Sequence, residues 1–510
     1  MRLTPIARRL YFAPLWRQAE SWTGRVREVQ LGVLAGILAK GARTAFGKGR
    51  ALRVPKTPDD ARRCLAEAFP SPVDYSVYRS YVMRMIEGER DVLWPGTCRR
   101  FAQSSGTSDG KSKYIPITPD SLSRSHYRGA AMSVASYLNL HPDSRLFEGK
   151  AFILGGSYAN ELHLPPWVRV GDLSATLIDR MNPFASFMRV PSRKVALMPD
   201  WDTKLPALIA STALRDDITN ISGVPSWFLT VLKGVLARTN ASSIHHVWPR
   251  LEVFFHGGIS MQPYYEQYSR LLPYGINYHE NYNASEGFFA ASDRTGDPAM
   301  RLMLDCGTFY EFIPLEDVGK DYPRMLAAWE VERGETYALV ITSCNGLFRY
   351  PIGDTVRIAD TDPLRITVEG RTKCFINAFG EELMVANADA AIAAVCRSFD
   401  CLIADYTAAP VYAGDNTRGR HEWLIEFTKA PADLAEFARH LDLELQARNS
   451  DYQAKRSGGI FLDPPTVVAA RPGLFDDWLA MTGKRGGQRK VPRLANDRRI
   501  MDECLHLNSR

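Results

Sequence analysis

The sequence predicts an α/β protein: a large N-terminal α/β domain over residues 1–370 and a smaller C-terminal α+β domain over residues 371–510. Three observations lead there. The chain has 510 residues and 45% hydrophobic content, more than a single core accommodates. Between residues 150 and 345 short apolar runs alternate with segments of helical periodicity, the pattern of strands interleaved with helices. After about residue 355 the texture shifts to a hairpin and then to a compact helix–strand alternation.

The elements follow in order. Val26, Val29, Val33, Leu34, Ile37 and Leu38 recur at helical spacing, which predicts an amphipathic helix over 24–42. A short helix over 59–69 starts near Thr57 or Asp59. Two strand-like stretches flank a Ser/Gly loop over 104–113, and a helix follows over 120–138. Strands are predicted over 151–154, 251–255, 276–279 and 337–342, and helices over 205–213, 226–237 and 264–272. Residues 355–359 and 365–369 read as a hairpin. Beyond it come a helix (386–397), a strand (422–427), a long helix (431–449), a strand (466–470) and a helix (474–482). Pro431 suits the first turn of the long helix, where its missing N–H costs nothing. The domain boundary is placed near 370, and no internal repeat or low-complexity tract is present.

Charge and cysteine usage narrow the function classes. The net charge of +6 is small for this length. Residues 1–58 carry 12 Lys/Arg against only Glu20 and Glu28, and a second basic cluster lies over 484–499. Such stretches can attract nucleic acid or anionic lipid, but solvated helix faces are the commoner origin, and no basic repeat is interleaved with aromatics as a nucleic-acid groove requires. The eight cysteines form no C-x-x-C pair and no zinc spacing with His, which fits reduced thiols in a cytoplasmic protein. The apolar run 31–39 ends at Lys40, far short of the roughly 20 residues that cross a membrane. The Arg-rich N-terminus has some transit-peptide character but no apolar h-region. There is no G-x-S-x-G elbow and no H-E-x-x-H pair.

Four segments can carry chemistry. In Ser104-Ser105-Gly106-Thr107-Ser108-Asp109-Gly110-Lys111-Ser112-Lys113, Gly, Ser and Thr can turn backbone N–H groups and hydroxyls toward one anion. It is not a Walker A loop, because only three residues separate Gly106 from Gly110. It reads either as another kind of phosphate loop or as a hairpin turn. In Asn281-Tyr282-Asn283-Ala284-Ser285-Glu286-Gly287, Glu286 beside Ser285 can hold a divalent cation that bridges phosphates, and Tyr282 can stack on a base. The alternative is ordinary turn chemistry. Asp354, in Arg349-Tyr350-Pro351-Ile352-Gly353-Asp354, is either an acceptor for both ribose hydroxyls or a turn Asp satisfied by backbone. In His256-Gly257-Gly258, paired glycines let a flat ring approach the backbone, while His256 reads as a packed core histidine.

Taken together and in this order, Ser104-Ser105-Gly106-Thr107-Ser108, Tyr282-Asn283-Ala284-Ser285-Glu286 and Arg349-Tyr350-Pro351-Ile352-Gly353-Asp354 resemble the adenylate-forming superfamily of acyl-CoA synthetases and luciferase. The resemblance is closest to the Gretchen Hagen acyl acid–amido synthetases, and Ile376-Asn377-Ala378-Phe379-Gly380-Glu381-Glu382-Leu383 resembles that family's bacterial branch. Departures exist: many relatives have Arg where Pro351 stands and a smaller residue where Asn283 stands.

The resemblance implies a large adenylation domain, a smaller mobile C-terminal domain, and a two-step reaction. A carboxylate attacks the α-phosphate of Mg-ATP to give acyl-AMP, and an amine then takes the acyl group. It implies phosphate contacts from Ser104, Ser105, Gly106 and Thr107, nucleotide contacts from Gly257, Gly258, Tyr282, Ser285, Glu286, Asp354 and Arg371, and a hinge near Arg371. Glu286 is also the metal ligand. Lys490 is the candidate for the superfamily's C-terminal catalytic lysine, with Glu286 and Thr107 as its catalytic companions, and Arg128 is the candidate partner of the acid's carboxylate. Both Lys490 and Arg128 read equally well as surface residues. The expected cofactors are ATP and Mg²⁺, the expected partners a small carboxylic acid of auxin or jasmonate type and an amino acid or other amine. No nucleic acid or integral membrane is expected, and the chain is expected to be a monomer. Two rivals stay open: a ligase that ends on coenzyme A, and a non-catalytic nucleotide- or membrane-binding protein.

Overall fold

The structure is a computed structural model that describes residues 3–104, 113–160, 162–372, 375–376, 378, 381, 383–411, 419–449, 452–453, 456, 462–482 and 490–509. The chain divides into two compact units. The first comprises Met1–Val224, Val231–Gly258 and Gly275–Val368; the second comprises Pro225–Thr230, Ile259–Tyr274 and Glu369–Arg510. The second unit thus includes two short stretches from the middle of the chain as well as its C-terminal portion.

In the first unit the basic N-terminus is built into the fold. Helix Val26–Gly41 buries Val26, Gln30, Leu31, Leu34, Ile37 and Leu38. At its end, a Cβ on Gly41 would stand 2.4 Å from the Phe348 ring, so only glycine lets the helix close on that side chain. Buried Gln30 donates to the carbonyls of Leu304 and Thr308 and accepts from the Tyr310 N–H, which satisfies an amide that would otherwise be costly to bury. Arg25, Arg27 and Lys40 pair with Glu28, Asp59 and Asp120. The next helix, Pro58–Ala68, starts where Thr57 caps it by accepting from the Asp60 N–H, with Pro58 in its first turn.

Strands β1 (Arg100–Ser104) and β2 (Lys113–Pro116) pair antiparallel, and β4 (Arg169–Gly171) joins β1 in parallel. Residues 121–127 form one stretch of π-helix that runs into the α-helix Arg128–Leu140. Twelve strands form the large sheet: β3 (Lys150–Ile153), β5 (Arg189–Val190), β6 (Ile218–Gly223), β7 (Val253–Gly257), β8 (Asn277–Ala284), β9 (Gly287–Ser292), β10 (Met300–Leu302), β11 (Thr308–Pro314), β12 (Leu326–Ala327), β13 (Thr336–Ser343), β14 (Leu347–Thr361) and β15 (Leu364–Arg371). Their spatial order is β12-β11-β13-β14-β15-β10-β9-β8-β7-β6-β3-β5. The β5-β3-β6-β7-β8 stretch is parallel, and β8 turns into β9 antiparallel. Ligands in such α/β sheets bind beyond the carboxyl ends of the parallel strands, which is where β7 and β8 end.

In the second unit β18 (Leu402–Val411), β19 (Arg420–Lys429) and β20 (Thr466–Ala470) form one sheet, and β16 (Phe375–Ile376) pairs with β17 (Leu383–Met384). The two faces of β19 feed two cores, as strand alternation requires. Trp423 and Ile425 pack with Ile392, Phe437 and Leu441, whereas Leu424 packs with Leu474, Trp478 and Met501. Pro431 does not open the long helix. That helix is Leu434–Arg448, and its cap is Asp433, whose carboxylate accepts from the N–H groups of Ala435 and Glu436.

Of the eight cysteines, the seven within the described residues are free and buried. Among the described residues no helix is long and apolar enough to cross a membrane.

Candidate functional site

The segment around Glu286 is a strand end and a tight turn. Asn281 to Ala284 continue β8, Ser285 and Glu286 form a two-residue turn, and Ala284 pairs with Gly287. The turn is pinned from several sides. The Phe288 N–H donates to the Ser125 hydroxyl at 3.0 Å, and the Asn345 amide donates to the Glu286 carbonyl at 3.0 Å. Glu286 itself is only 7% exposed, a buried carboxylate at the end of a parallel strand.

Asp354 is not in a turn. It lies within β14, where the ladder with β13 is interrupted: Ala338 faces Thr355 and Val340 faces Pro351. Two extra residues of β14 are therefore accommodated there, and Gly353 takes φ +89°, a conformation favouring glycine. Such a bulge re-aims a side chain out of the sheet's regular alternation. The Tyr282 hydroxyl donates to Asp354 Oδ2 at 2.7 Å, which ties the second motif to the third across the sheet.

The same strand holds a second irregularity. Arg349 has φ +45°, rare for a residue with a side chain. It is held by a buried two-pronged pair with Glu311, at 3.0 and 2.6 Å, and by donation to the Phe69 carbonyl at 2.6 Å. Its own carbonyl accepts from the Val73 N–H at 2.8 Å.

Two further residues join this region. Lys113, at the start of β2, reaches the Tyr350 hydroxyl at 3.3 Å and lies over the rings of Tyr75 and Tyr350 at 5.7 Å each. The Tyr75 hydroxyl accepts from the Tyr114 N–H at 2.6 Å. Burial chiefly, with a smaller contribution from the Glu286 charge, pushes the Tyr75 phenol up to about 12. Lys113 sits in the basic end of the Ser/Gly segment, but Tyr75 is 39 residues from its partner Tyr114 and sequence spacing does not reveal it.

The remaining candidates stand as follows. Ser104 closes β1; Ser105, Gly106 and Thr107 lie outside the described residues. A Cβ on Gly257 would stand 2.2 Å from the Asn281 carbonyl oxygen, so this glycine serves the close approach of β7 to β8, and Gly258 has φ +80°. Arg128 is engaged by Asp305 at 3.2 and 2.6 Å, which neutralises its charge and leaves the acid's carboxylate without that partner unless the pair opens. Arg371 ends β15 and is exposed. Lys490 is half-buried in the second unit. The segment after it is fastened to β18 by Thr407 to the Pro492 carbonyl (2.7 Å) and Ala408 N–H to the Arg493 carbonyl (2.8 Å). Arg493 is buried against Asp389 and Asp405, and the Lys490 charge reaches Asp405. Among the described residues no cluster of three or more His, Cys, Asp or Glu is arranged for a metal.

His256 and His279 are buried, and burial pushes both down to about 3, so each is a neutral core imidazole at physiological pH. Opposite His256 on β8 stands Glu280, whose carboxyl is pushed by burial up to about 7 from an ordinary 4.5. The folded protein therefore keeps a proton that the unfolded chain releases as pH rises. This contribution is complete below the unfolded value near 4.5 and is lost as pH climbs toward 7. Glu280→Gln should flatten that slope and raise stability at pH 8 by about 2 kcal/mol. Urea unfolding at pH 5 and pH 8 checks this, and an unchanged pH slope in the variant would refute it.

Comparison with known proteins decides the family. The models of the GH3 family N-terminal domain, central domain and C-terminal domain match residues 16–161, 301–371 and 386–499, in chain order and over nearly two thirds of the chain. The chain belongs to the GH3 family. A relative of this GH3 protein in Oryza sativa subsp. japonica, a probable indole-3-acetic acid-amido synthetase GH3.1, is 24% identical over 562 residues, covering 93% of this chain and 88% of the relative. Among solved structures, an AtGH3.15 acyl acid amido synthetase in complex with 2,4-DB superposes with TM-score 0.78 at 17% identity, covering 98% of this chain and 96% of the other. A 2-hydroxyisobutyryl-CoA ligase in the postadenylation state gives TM-score 0.59 at 11% identity, covering 94% and 92%. At these identities the structural matches establish the fold, which is that of the adenylate-forming enzymes.

Proposed function

We propose that this GH3 protein is an ATP-dependent ligase that adenylates a small carboxylic acid and transfers the acyl group to an amine, most naturally that of an amino acid. The observation that carries the reading is the hydrogen bond from Tyr282 to Asp354, which joins the strand that leads into the Glu286 turn to the bulge in β14. The rice relative's name, an amido synthetase acting on indole-3-acetic acid, supplies the classes of acid and product.

In the first step a carboxylate oxygen bonds to the α-phosphorus of ATP and the bond to pyrophosphate breaks. In the second the amine nitrogen bonds to the acyl carbon, the bond to AMP breaks and the nitrogen gives up a proton. Two anions must meet in the first step, so charge neutralisation dominates its barrier. Lys113, Ser104, Ser105, Gly106 and Thr107 are assigned to the phosphates. Asp354, already bonded by Tyr282, accepts from the ribose hydroxyls. Glu286 is the residue to hold Mg²⁺, which when bound neutralises phosphate charge. One buried carboxylate fits that ion, because Mg²⁺ is usually held by one or two carboxylates together with phosphate oxygens and water. Arg371 is assigned the hinge and Lys490 the cation of one half-reaction. For a reactive acyl-AMP, a closing second domain has the value of excluding water. Arg128 is the residue assigned to the acid, provided its pair with Asp305 opens.

Pyrophosphate release from Mg-ATP over a panel of carboxylic acids tests the reading, run with mixed amino acids, with coenzyme A and with neither. Acid-dependent release that rises with amino acids supports amide formation. A rise with coenzyme A alone supports thioester formation, and no release with any acid rejects the catalytic reading. Two variants separate the roles within it. Asp354→Ala should weaken ATP binding by about tenfold, the value of one or two hydrogen bonds to a charged acceptor. Lys490→Ala should leave ATP affinity intact and slow a single half-reaction. Unchanged affinity in the first, or unchanged rates of both half-reactions in the second, removes the assignment.

A further inference from the structure

A second concavity of the first unit, about 640 Å³ in volume, has no place in the site described above. Its walls carry five arginines, Arg99, Arg100, Arg169, Arg180 and Arg193, and a single acid, Asp179. Asp179 is spent on Arg193, with which it forms a short ion pair. Arg169 reaches only the Pro166 carbonyl. Among the described residues the guanidinium groups of Arg99, Arg100 and Arg180 form no ion pair and no hydrogen bond, and Arg100 Nε is buried without a partner. Buried donors are nearly always paired in native proteins, so an orphaned guanidinium nitrogen marks a missing acceptor. Four uncompensated positive charges in one concavity repel each other and focus a positive potential outward.

The rim adds an aromatic. Trp167 is 55% exposed beside these arginines, an indole face open to a flat ring. Tyr158 lies deeper, and its hydroxyl feels the charge of Arg100. The pocket lies at the other end of β1 from Ser104. Arg100 opens β1 and Ser104 closes it, so about 13 Å of strand separates the two ends.

We propose that this pocket binds a nucleotide carrying two or more phosphate groups, the phosphates on Arg99, Arg100 and Arg180 and the ring on Trp167. Guanidinium forks match phosphate oxygens two at a time, and the volume falls within the range of small-molecule sites. Bound there, the ligand links β1 to helix Leu173–Arg180 and stabilises the first unit. This is a second, non-catalytic nucleotide site, and it stands whether or not the catalytic reading does.

The test uses the full chain, with ADP and tripolyphosphate as probes in calorimetric titrations. Arg99→Glu with Arg180→Glu changes two exposed residues and leaves half-buried Arg100 alone. That double variant should lose one class of ADP site and bind tripolyphosphate at least about tenfold more weakly there. Acid-dependent pyrophosphate release at saturating ATP should stay unchanged. Trp167→Ala should weaken ADP at the same site and spare tripolyphosphate. Identical isotherms for wild type and the double variant would overturn the proposal. So would tighter binding of a short single-stranded RNA than of ADP through the same arginines.

Discussion

Glu286→Gln is expected to lower acid-dependent pyrophosphate release by about two to three orders of magnitude while the protein stays folded. The substitution keeps the side chain's shape and removes one negative charge from a position 7% exposed. The turn that carries it is held by backbone contacts that Gln preserves: the Asn345 amide on the Glu286 carbonyl and the Ser125 hydroxyl on the Phe288 N–H. The melting temperature should therefore move by no more than about 3 °C, and the whole loss should appear in the adenylation step. Raising Mg²⁺ should recover part of the activity if the carboxylate holds the ion, because weakened binding is offset by mass action. A folded variant with wild-type release would dismiss the metal role. A variant that unfolds would make Glu286 a structural residue and would leave Asp354 to carry the nucleotide assignment.

The sequence shows this site only in part, and the reasons are physical. Strand β8 is legible as far as His279, where Ile276 and Tyr278 alternate with polar neighbours; its continuation through Asn281-Tyr282-Asn283 is polar and reads as loop. What keeps it extended is the parallel ladder with β7, where Gly257 permits the close approach to Asn281. The stretch 347–354 has Pro351 and Gly353 within it, which read as turn residues, yet it is a strand because β13 pairs on both sides of two irregularities. At the start of the long C-terminal helix two signals compete three residues apart, Pro431 and Asp433, and the cap bond of Asp433 wins. Strand β18 is not legible in the sequence: Asp405, Thr407 and Pro410 dilute its β character, and its pairing with β19 supplies the order. The arginine pocket draws its charge from positions 99 to 193, so no local window shows more than two or three of them.

Glu311→Ala is expected to cost about 3–5 kcal/mol of folding stability, the usual penalty for leaving a buried charge unpaired. The Arg349–Glu311 pair is 6% and 0% exposed, so water cannot replace the lost carboxylate. Arg349 would keep only the Phe69 carbonyl, and its φ of +45° would no longer be held against the preference of a side-chain-bearing residue for negative φ. Replacing both partners, Glu311→Leu with Arg349→Met, should recover a good part of the loss, since two apolar groups of similar volume need no counter-charge. A double-mutant cycle by denaturant unfolding reads the coupling, and a single-variant loss below about 1 kcal/mol would show that the pair is not what fixes the strand. The consequence extends to function. The Arg349 carbonyl holds the Val73 N–H, two residues before Tyr75, and the next residue, Tyr350, bonds Lys113. A chain with Glu311→Ala that still folds should therefore bind ATP more weakly even though residue 311 itself touches no proposed ligand. The buried pair anchors β14 at Arg349, just before its bulge, so the position of Asp354 depends on an ion pair formed with β11, elsewhere in the sheet.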